Sequence, residues 1–198
     1  MPPSEQPDST ENVLDVAEQL FLERGYAGTR VRDLADRLGM KPASLYYHAP
    51  GGKKELWDRV LTRALTRHEV QLRAAADAFE GDIRAQLIAM ATWLLSQPPV
   101  NLVALATSRV YGAEAGQESA KLMGRMEQSL LKPVGDVFQS AQEAGILRVG
   151  PPNLLSGMFV AAINPLKGLA QARRLDRPVQ DVVEDVVDVM LHGALLPE

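Results

Sequence analysis

The sequence predicts an all-α protein in which an N-terminal three-helix, helix-turn-helix domain precedes a larger helical domain. Apolar residues recur at i, i+3, i+4 and i+7, as in the stretch 31–38, which places them on one face of a helix. No segment alternates apolar and polar residues with the period of two that a half-buried strand needs. Glycine and proline separate the periodic stretches, and this punctuation indicates about nine helices.

The composition is that of a globular chain without disulfides. The 198 residues are 46% hydrophobic and include no cysteine, so a sizeable core is expected and thiolate metal sites are excluded. No apolar run approaches the roughly 18 residues of a membrane span, and the polar first residues differ from a signal peptide. We therefore expect a cytoplasmic protein with no membrane partner.

The charge distribution is uneven along the chain. Residues 24–59 contain eight Lys and Arg against four Asp and Glu, a local balance of +4 in a chain of net charge −4, so the remainder carries −8. A basic segment on an acidic body is compatible with DNA binding through that segment alone. The alternative is an ordinary solvated charged face.

The N-terminal region divides into a tail and three short helices. We expect residues 1–8 to be disordered and residues 9–56 to form the first domain, with residues 57–198 as the second. Gly25 is predicted to close the first helix, and Thr29 is predicted to cap the next one, near amides that suit a phosphate. Gly39 marks a tight turn, and Pro42 suits the first turn of a third helix.

The third helix, Pro42–His48, is poor core material. Only Ala43 and Leu45 are plainly apolar, and the other side chains offer hydroxyl groups and flat rings. Such a helix suits insertion into a DNA major groove. The alternatives are half-buried packing for the two tyrosines and a helix C-terminal role for His48.

The chain after residue 56 is also predicted to be helical. Apolar stripes predict helices over 57–79, 82–97, 100–111, 114–144, 153–174 and 178–195, with a break at Pro98 and Pro99. Pro133 is predicted to kink or split the long helix 114–144.

The last two helices are apolar around most of their circumference. Such helices bury more than one face, which predicts a homodimer with a two-fold four-helix interface. The alternative is that they form the core of the single subunit. The predicted interface residues are Met158, Ala162, Leu166, Leu169, Val183, Val186, Val187 and Met190.

The middle helices are predicted to enclose a cavity for an unknown small-molecule effector. Methionine-rich walls adapt to varied apolar ligands, although methionine and aromatic residues at helical spacing are also common in plain cores. Arg109, Gln97 and Asn164 are possible polar anchors. The predicted lining residues are Met90, Trp93, Leu94, Arg109, Tyr111, Met123, Met126, Phe138 and Phe159.

Sequence signals for catalysis are weak. The histidines His48, His68 and His192 are scattered, and none has the spacing of a metal motif. The Gly51-Gly52-Lys53-Lys54 run lacks the other residues of a phosphate-binding P-loop, and neither G-x-S-x-G nor G-x-G-x-x-G is present. We expect no enzymatic activity, no cofactor and no metal.

The run from Val13 to Leu61 resembles the N-terminal DNA-binding domain of the TetR (tetracycline repressor) family of transcriptional regulators. The resemblance covers about 50 consecutive residues, with matches in the stretches 20–26, 31–39, 45–48 and 53–56. Two features depart from the family pattern: Ala49 follows the histidine where a large apolar residue is usual, and the Gly51-Gly52 loop is one residue longer. Either Lys53 or Lys54 therefore corresponds to the phosphate-contacting lysine.

The resemblance implies roles for individual residues. Ala43, Ser44 and Tyr46 match positions that face bases in the family. Lys41 and Pro42 lie at the start of the helix that enters the groove. The positions that match phosphate contacts are Thr29, Tyr47, His48 and Lys53. A short side chain such as that of Ala43 can touch a thymine methyl group, whereas lysine adds affinity without sequence information.

These features predict a ligand-responsive regulator, most simply a repressor, that binds a palindromic double-stranded DNA operator as a dimer. A small apolar or amphipathic effector would release it. Two alternatives are a helical enzyme that uses the central cavity and a helical interaction module that does not bind DNA.

Overall fold

The computed structural model describes residues 9–97, 115–148 and 150–194. These residues form α-helices joined by turns, with no β-strand among them, which confirms the all-α prediction. Contacts group residues 9–64 into one compact unit and residues 65–97 and those from Gly116 onward into a second. The predicted boundary after Leu56 thus falls within the first turns of a helix that runs on past Ala64.

The first unit contains α1 (Ser9–Gly28), α2 (Val31–Arg37), α3 (Pro42–His48) and the start of α4 (Gly52–Asp77). These helices bury a common apolar core because each presents an apolar stripe inward. The core residues are Val13, Leu14, Ala17, Leu20, Phe21, Leu34, Leu45, Ala49, Leu56 and Val60.

The junction between α1 and α2 agrees with one prediction and corrects another. Gly25 has φ 68° and ψ 174°, a non-helical backbone that closes the first helical stretch of α1 at the predicted residue, and a short second stretch continues to Gly28. Arg30, not Thr29, is the N-cap of α2, and its backbone N–H donates to Asp33 Oδ2 at 2.9 Å. The Thr29 side chain is fully buried, and its hydroxyl donates to the Gly25 carbonyl at 2.8 Å. Thr29 therefore stabilises the kink at Gly25 through a buried hydrogen bond.

The second unit contains the rest of α4, then α5 (Ile83–Ser96), α6 (Ala115–Met126), α7 (Lys132–Glu143), α8 (Pro152–Gln171) and α9 (Val179–Ala194). Asp82 is the N-cap of α5, and its carboxylate accepts the Ala85 N–H at 3.0 Å. Helices α5, α7, α8 and α9 pack together around a buried core. Its largest fully buried side chains include Leu87, Met90, Phe138, Phe159 and Ile163.

The predicted long helix 114–144 is interrupted by a π-helical turn, Glu127–Leu131, between α6 and α7. Pro133 follows at the second position of α7. Because proline has no N–H and its ring collides with the carbonyl four residues earlier, Pro133 disfavours a regular α-helix through this point. The wider π turn separates the two α-helices without a loop, so the predicted split takes this form.

No helix in the described ranges is long and apolar enough to cross a membrane. The predicted helix 100–111, with Arg109 and Tyr111, lies outside the described residues.

Candidate nucleic-acid interface

Helix α3 turns one apolar side chain inward and its polar side chains outward. Leu45 is 1% exposed, and it is the buried residue of this helix. Tyr46 is 49% exposed and Tyr47 87% exposed. The side chains from Lys41 to Ser44 are exposed as well. A helix anchored by a single leucine therefore presents Ser44 and two tyrosines to solvent.

The turn between α2 and α3 fixes the direction of this face. Gly39 has φ 66°, a left-handed conformation that favours glycine, and its N–H donates to the Asp36 carbonyl at 3.2 Å. The Met40 N–H donates to the Ala35 carbonyl at 3.0 Å, which completes a paired closure of the α2 C-terminus. Pro42 then begins α3 at a position where a missing N–H has no consequence.

Ala49 and the longer glycine loop are joined by a backbone hydrogen bond. Ala49 is fully buried in the core of the first unit. Gly52 has φ 64°, and its N–H donates to the Ala49 carbonyl at 2.8 Å. A Cβ on Gly52 would lie 3.2 Å from Cε1 of Tyr46. The second glycine therefore lets the Tyr46 ring lie against the loop.

Lys53 points into the first unit. Its Nζ donates to the Tyr26 carbonyl at 3.0 Å and to the Thr29 carbonyl at 2.9 Å, and it lies 4.1 Å from the centroid of the Tyr26 ring. The ring of Tyr26 in turn packs edge-on against Trp57, with centroids 5.4 Å apart. The ammonium group therefore ties α4 to the junction between α1 and α2.

Two further side chains of α4 fix the end of α3 and the loop after it. Arg59 Nη1 donates to the His48 carbonyl at 2.9 Å, which satisfies a carbonyl at the α3 C-terminus. The Glu55 carboxylate accepts the Gly51 N–H at 2.7 Å and lies 3.8 Å from Arg59. The first two turns of α4 therefore hold the preceding helix and its loop, and α4 then continues unbroken to Asp77.

Several basic side chains of the segment 24–59 are paired within the first unit. Arg37 pairs with Glu23 at 3.2 Å, and Lys54 pairs with Asp58 at the same distance. Lys41, beside the N-terminus of α3, has no ion-pair partner among the described residues. The cation next to the polar face of α3 is therefore available to an external anion.

The predicted effector-lining residues fall into different environments. Met90, Leu94, Met126, Phe138 and Phe159 are buried in the second unit, whereas Met123 is 45% exposed. Surface grooves of about 550 and 370 Å³ lie in the first and second units, and neither is lined by any predicted effector residue. The effector prediction stays a prediction.

The predicted interface residues divide in the same way. Val183 and Val187 are fully buried in the subunit core, and Leu166 is nearly so. Met158 is 51% and Leu169 37% exposed, and Ala162, Val186 and Met190 are half-buried. Two further apolar side chains of these helices, Leu154 and Val189, are 58% and 73% exposed. The spacing of Leu154 four residues before Met158 was the available signal.

Histidine and acidic side chains do not form a metal site in the part of the chain that the structure describes. His48 is half-buried at the end of α3, His68 is buried in α4, and His192 lies near the end of α9.

A three-helix domain whose third helix buries Leu45 and exposes Pro42–Ser44, Tyr46 and Tyr47 resembles the helix-turn-helix architecture, in which this helix is the one that faces DNA. Residues 13–60 match the family model described as bacterial regulatory proteins, tetR family. The similarity to the tetR family therefore covers the N-terminal domain, about a quarter of the chain.

A curated relative matches the same N-terminal region, and solved structures share the fold of the chain. The HTH-type transcriptional regulator LmrA of Bacillus subtilis is 45% identical over 49 residues, which cover 25% of this chain and 26% of LmrA. The match thus spans about a quarter of that relative. A protein of unknown function from Rhodococcus sp. RHA1 has the same fold, with a TM-score of 0.74 at 22% identity over 99% of this chain and 100% of that one. AibR in complex with isovaleryl coenzyme A and operator DNA is similar at a TM-score of 0.67 and 16% identity, over 96% and 100% of the two chains.

Proposed function

We propose that this protein is a ligand-responsive transcriptional regulator, a repressor, that binds a palindromic DNA operator as a cytoplasmic homodimer. The observation that carries the proposal is the outward polar face of α3, held by the buried Leu45 and flanked by Lys41. Ser44 and the two tyrosines on this face provide the hydrogen-bonding and apolar contacts that read bases in a major groove. The family of the N-terminal domain supports the same function.

The residues of the face have different proposed tasks. Ala43, Ser44 and Tyr46 contact base edges, because they are exposed on α3 and match base-facing positions of the family. Lys41, Tyr47 and His48 contact phosphates, which set the position of the helix on the duplex without specifying the sequence. Thr29 and Lys53 support this surface from inside the domain, since their polar atoms donate to main-chain carbonyls.

Dimerisation is proposed through α8 and α9. Leu154, Met158 and Leu169 are exposed apolar residues of α8, and Val189 is one of α9. Large apolar side chains exposed along two helices are typical of a subunit interface. Two copies of α3 would then read half-sites about 34–36 Å apart, or a multiple of that distance.

The effector is proposed to act by favouring a dimer in which the two α3 helices no longer match that spacing. Changing the DNA-binding population from almost full to almost empty requires about a 10⁴-fold preference of the effector for one state. AibR is a structural neighbour bound to both a coenzyme A thioester and operator DNA, which supports the coexistence of two such sites on this fold.

The direct test is selection of binding sequences from random duplex DNA by the purified chain. We expect a two-fold symmetric sequence whose affinity falls steeply with salt, because neutralised phosphates release counterions. Size-exclusion chromatography with light scattering should give a dimer. A monomer that enriches no sequence, or binding that does not change between 50 and 200 mM salt, would contradict the proposal and favour a helical interaction module.

A further inference from the structure

His68 lies inside the second unit although histidine has two polar ring atoms. Its residue surface is 3% exposed, and it shares the inward face of α4 with Leu65 and Leu72, three residues before it and four after it. Its Nδ1 is buried and has no hydrogen-bond partner in the part of the chain that the structure describes. The sequence alone had marked this histidine only as isolated.

Trp93 of α5 brings a second polar atom of the same kind to this region. Its ring meets the His68 ring edge-on, with centroids 6.3 Å apart and an interplanar angle of 74°. Its Nε1 is also buried without a hydrogen-bond partner. Each such atom costs about 1–3 kcal/mol when it stays unsatisfied, so two on adjoining rings point to a partner from outside the chain.

The charge state of His68 limits the chemistry of that partner. Burial, with a smaller contribution from the charge of Arg67, lowers the pKa of His68 to about 4. Near neutral pH the imidazole is therefore uncharged and has one donor and one acceptor nitrogen, whereas the indole only donates. A hydroxyl or carbonyl oxygen complements this pair. A carboxylate would have to be desolvated among buried leucines, which costs several kcal/mol.

We propose that His68 and Trp93 form the polar end of the effector site, and that this site binds an uncharged, mainly apolar molecule carrying a hydroxyl or carbonyl oxygen. The proposal deepens the regulatory function proposed above and rests on it. Helix α4 connects the two, because the helix that carries His68 also holds the α1–α2 junction through Lys53 and the end of α3 through Arg59. Occupation of the site therefore acts on the helix that positions the DNA-reading surface.

The test uses the full chain labelled with ¹⁵N-tryptophan. The sequence has two tryptophans, so the spectrum contains two indole N–H resonances, and the Trp93→Phe variant assigns them. The probes are phenol and cyclohexanone, with benzene as the apolar control and benzoate as the charged control. We expect phenol or cyclohexanone to shift the Trp93 resonance saturably at millimolar concentration, with at least tenfold weaker effects from benzene and benzoate.

Two variants of His68 separate hydrogen bonding from packing. His68→Leu should weaken the binding of the oxygenated probe about tenfold, and His68→Gln should retain most of it, because glutamine keeps a donor and an acceptor. Val70→Ala is the control, since Val70 is 56% exposed on the same helix. A Trp93 resonance that ignores both oxygenated probes overturns the proposal. So does a response equal to that of benzene, or one unchanged in both His68 variants.

The result can be distinguished from failure of the proposed function. DNA binding without any probe-dependent shift of Trp93 would overturn the effector site and leave the DNA-binding function intact. A saturable shift that requires His68, in a protein that enriches no DNA sequence, would support the site and contradict the regulatory function.

Discussion

Replacing Lys53 by methionine tests whether this lysine supports the domain from inside or contacts DNA phosphate directly. Methionine keeps the length and apolar character of the stem and removes the ammonium group. In the structure that group donates to the Tyr26 and Thr29 carbonyls at 3.0 and 2.9 Å and lies over the Tyr26 ring. We therefore expect Lys53→Met to act first on stability.

The magnitude follows from the contacts that disappear. A hydrogen bond from a charged donor contributes about 1.5–3 kcal/mol, and an exposed cation–π contact about 0.5–1 kcal/mol. Lys53 is only half-buried, and the Tyr26 carbonyl also accepts the Thr29 N–H at 3.3 Å, so the full sum does not apply. A loss of about 2 kcal/mol in the free energy of unfolding is expected.

Urea denaturation and DNA binding measured against salt separate the two roles. Lys54→Met is the matched control, because Lys54 is an exposed neighbour in an i,i+4 pair, and its change should stay within about 0.5 kcal/mol. Lys53→Met should leave the salt slope of DNA binding unchanged. Unaltered stability together with a slope smaller by about 0.9 for each subunit would refute the reasoning and establish a phosphate contact.

Three further predictions concern other positions. Gly52→Ala should destabilise the protein by about 1–2 kcal/mol in urea denaturation, because alanine is strained at φ 64° and its Cβ would meet Tyr46, whereas Gly124→Ala, with open space in α6, should stabilise it by about 0.5–1 kcal/mol. Equal effects would contradict the strain argument. The lowered pKa of His68 means that the unfolded chain binds its proton first, so stability should fall as pH drops from 6.5 to 4, by about 3 kcal/mol relative to His68→Gln. Parallel pH curves would exclude this. Arg63→Met should destabilise the first unit by more than about 1 kcal/mol at low salt, because Arg63 pairs with three acidic residues of α1 at 2.5–3.2 Å. An unchanged free energy of unfolding would show that solvent screening cancels the contribution of these pairs.

The inward direction of Leu45 could be predicted from sequence because it is the one large aliphatic side chain of α3. One leucine among hydroxyl-bearing residues allows a single inward orientation, and Leu45 is the buried residue.

The buried face of α6 and α7 could also be predicted from sequence. Apolar residues follow one another at intervals of four from Leu122 to Phe138, and all are buried. At 3.6 residues per turn this stripe would drift by about 40° at each step, and the π turn reduces that drift.

The inward-facing roles of Thr29 and Lys53 could not be predicted, because sequence gives the charge of a side chain and not the direction in which it points. Both groups bind carbonyls of a kink that depends on the dihedral angles of Gly25. Tertiary pairs are equally invisible to local patterns, since Arg63 meets acidic partners 45–52 residues earlier in the chain. The polar pair of His68 and Trp93 was missed for the same reason, because it joins two helices.

The most direct measurement of the central claim is the DNA affinity of the double variant Ser44→Ala, Tyr47→Ala on the selected operator. Both side chains are exposed on α3, with Tyr47 at 87%, so the free energy of unfolding should change by less than about 0.5 kcal/mol. Affinity should nevertheless fall at least about tenfold, because each variant removes a proposed contact to DNA. Unchanged affinity in a stably folded double variant would contradict the claim that the outward face of α3 reads DNA.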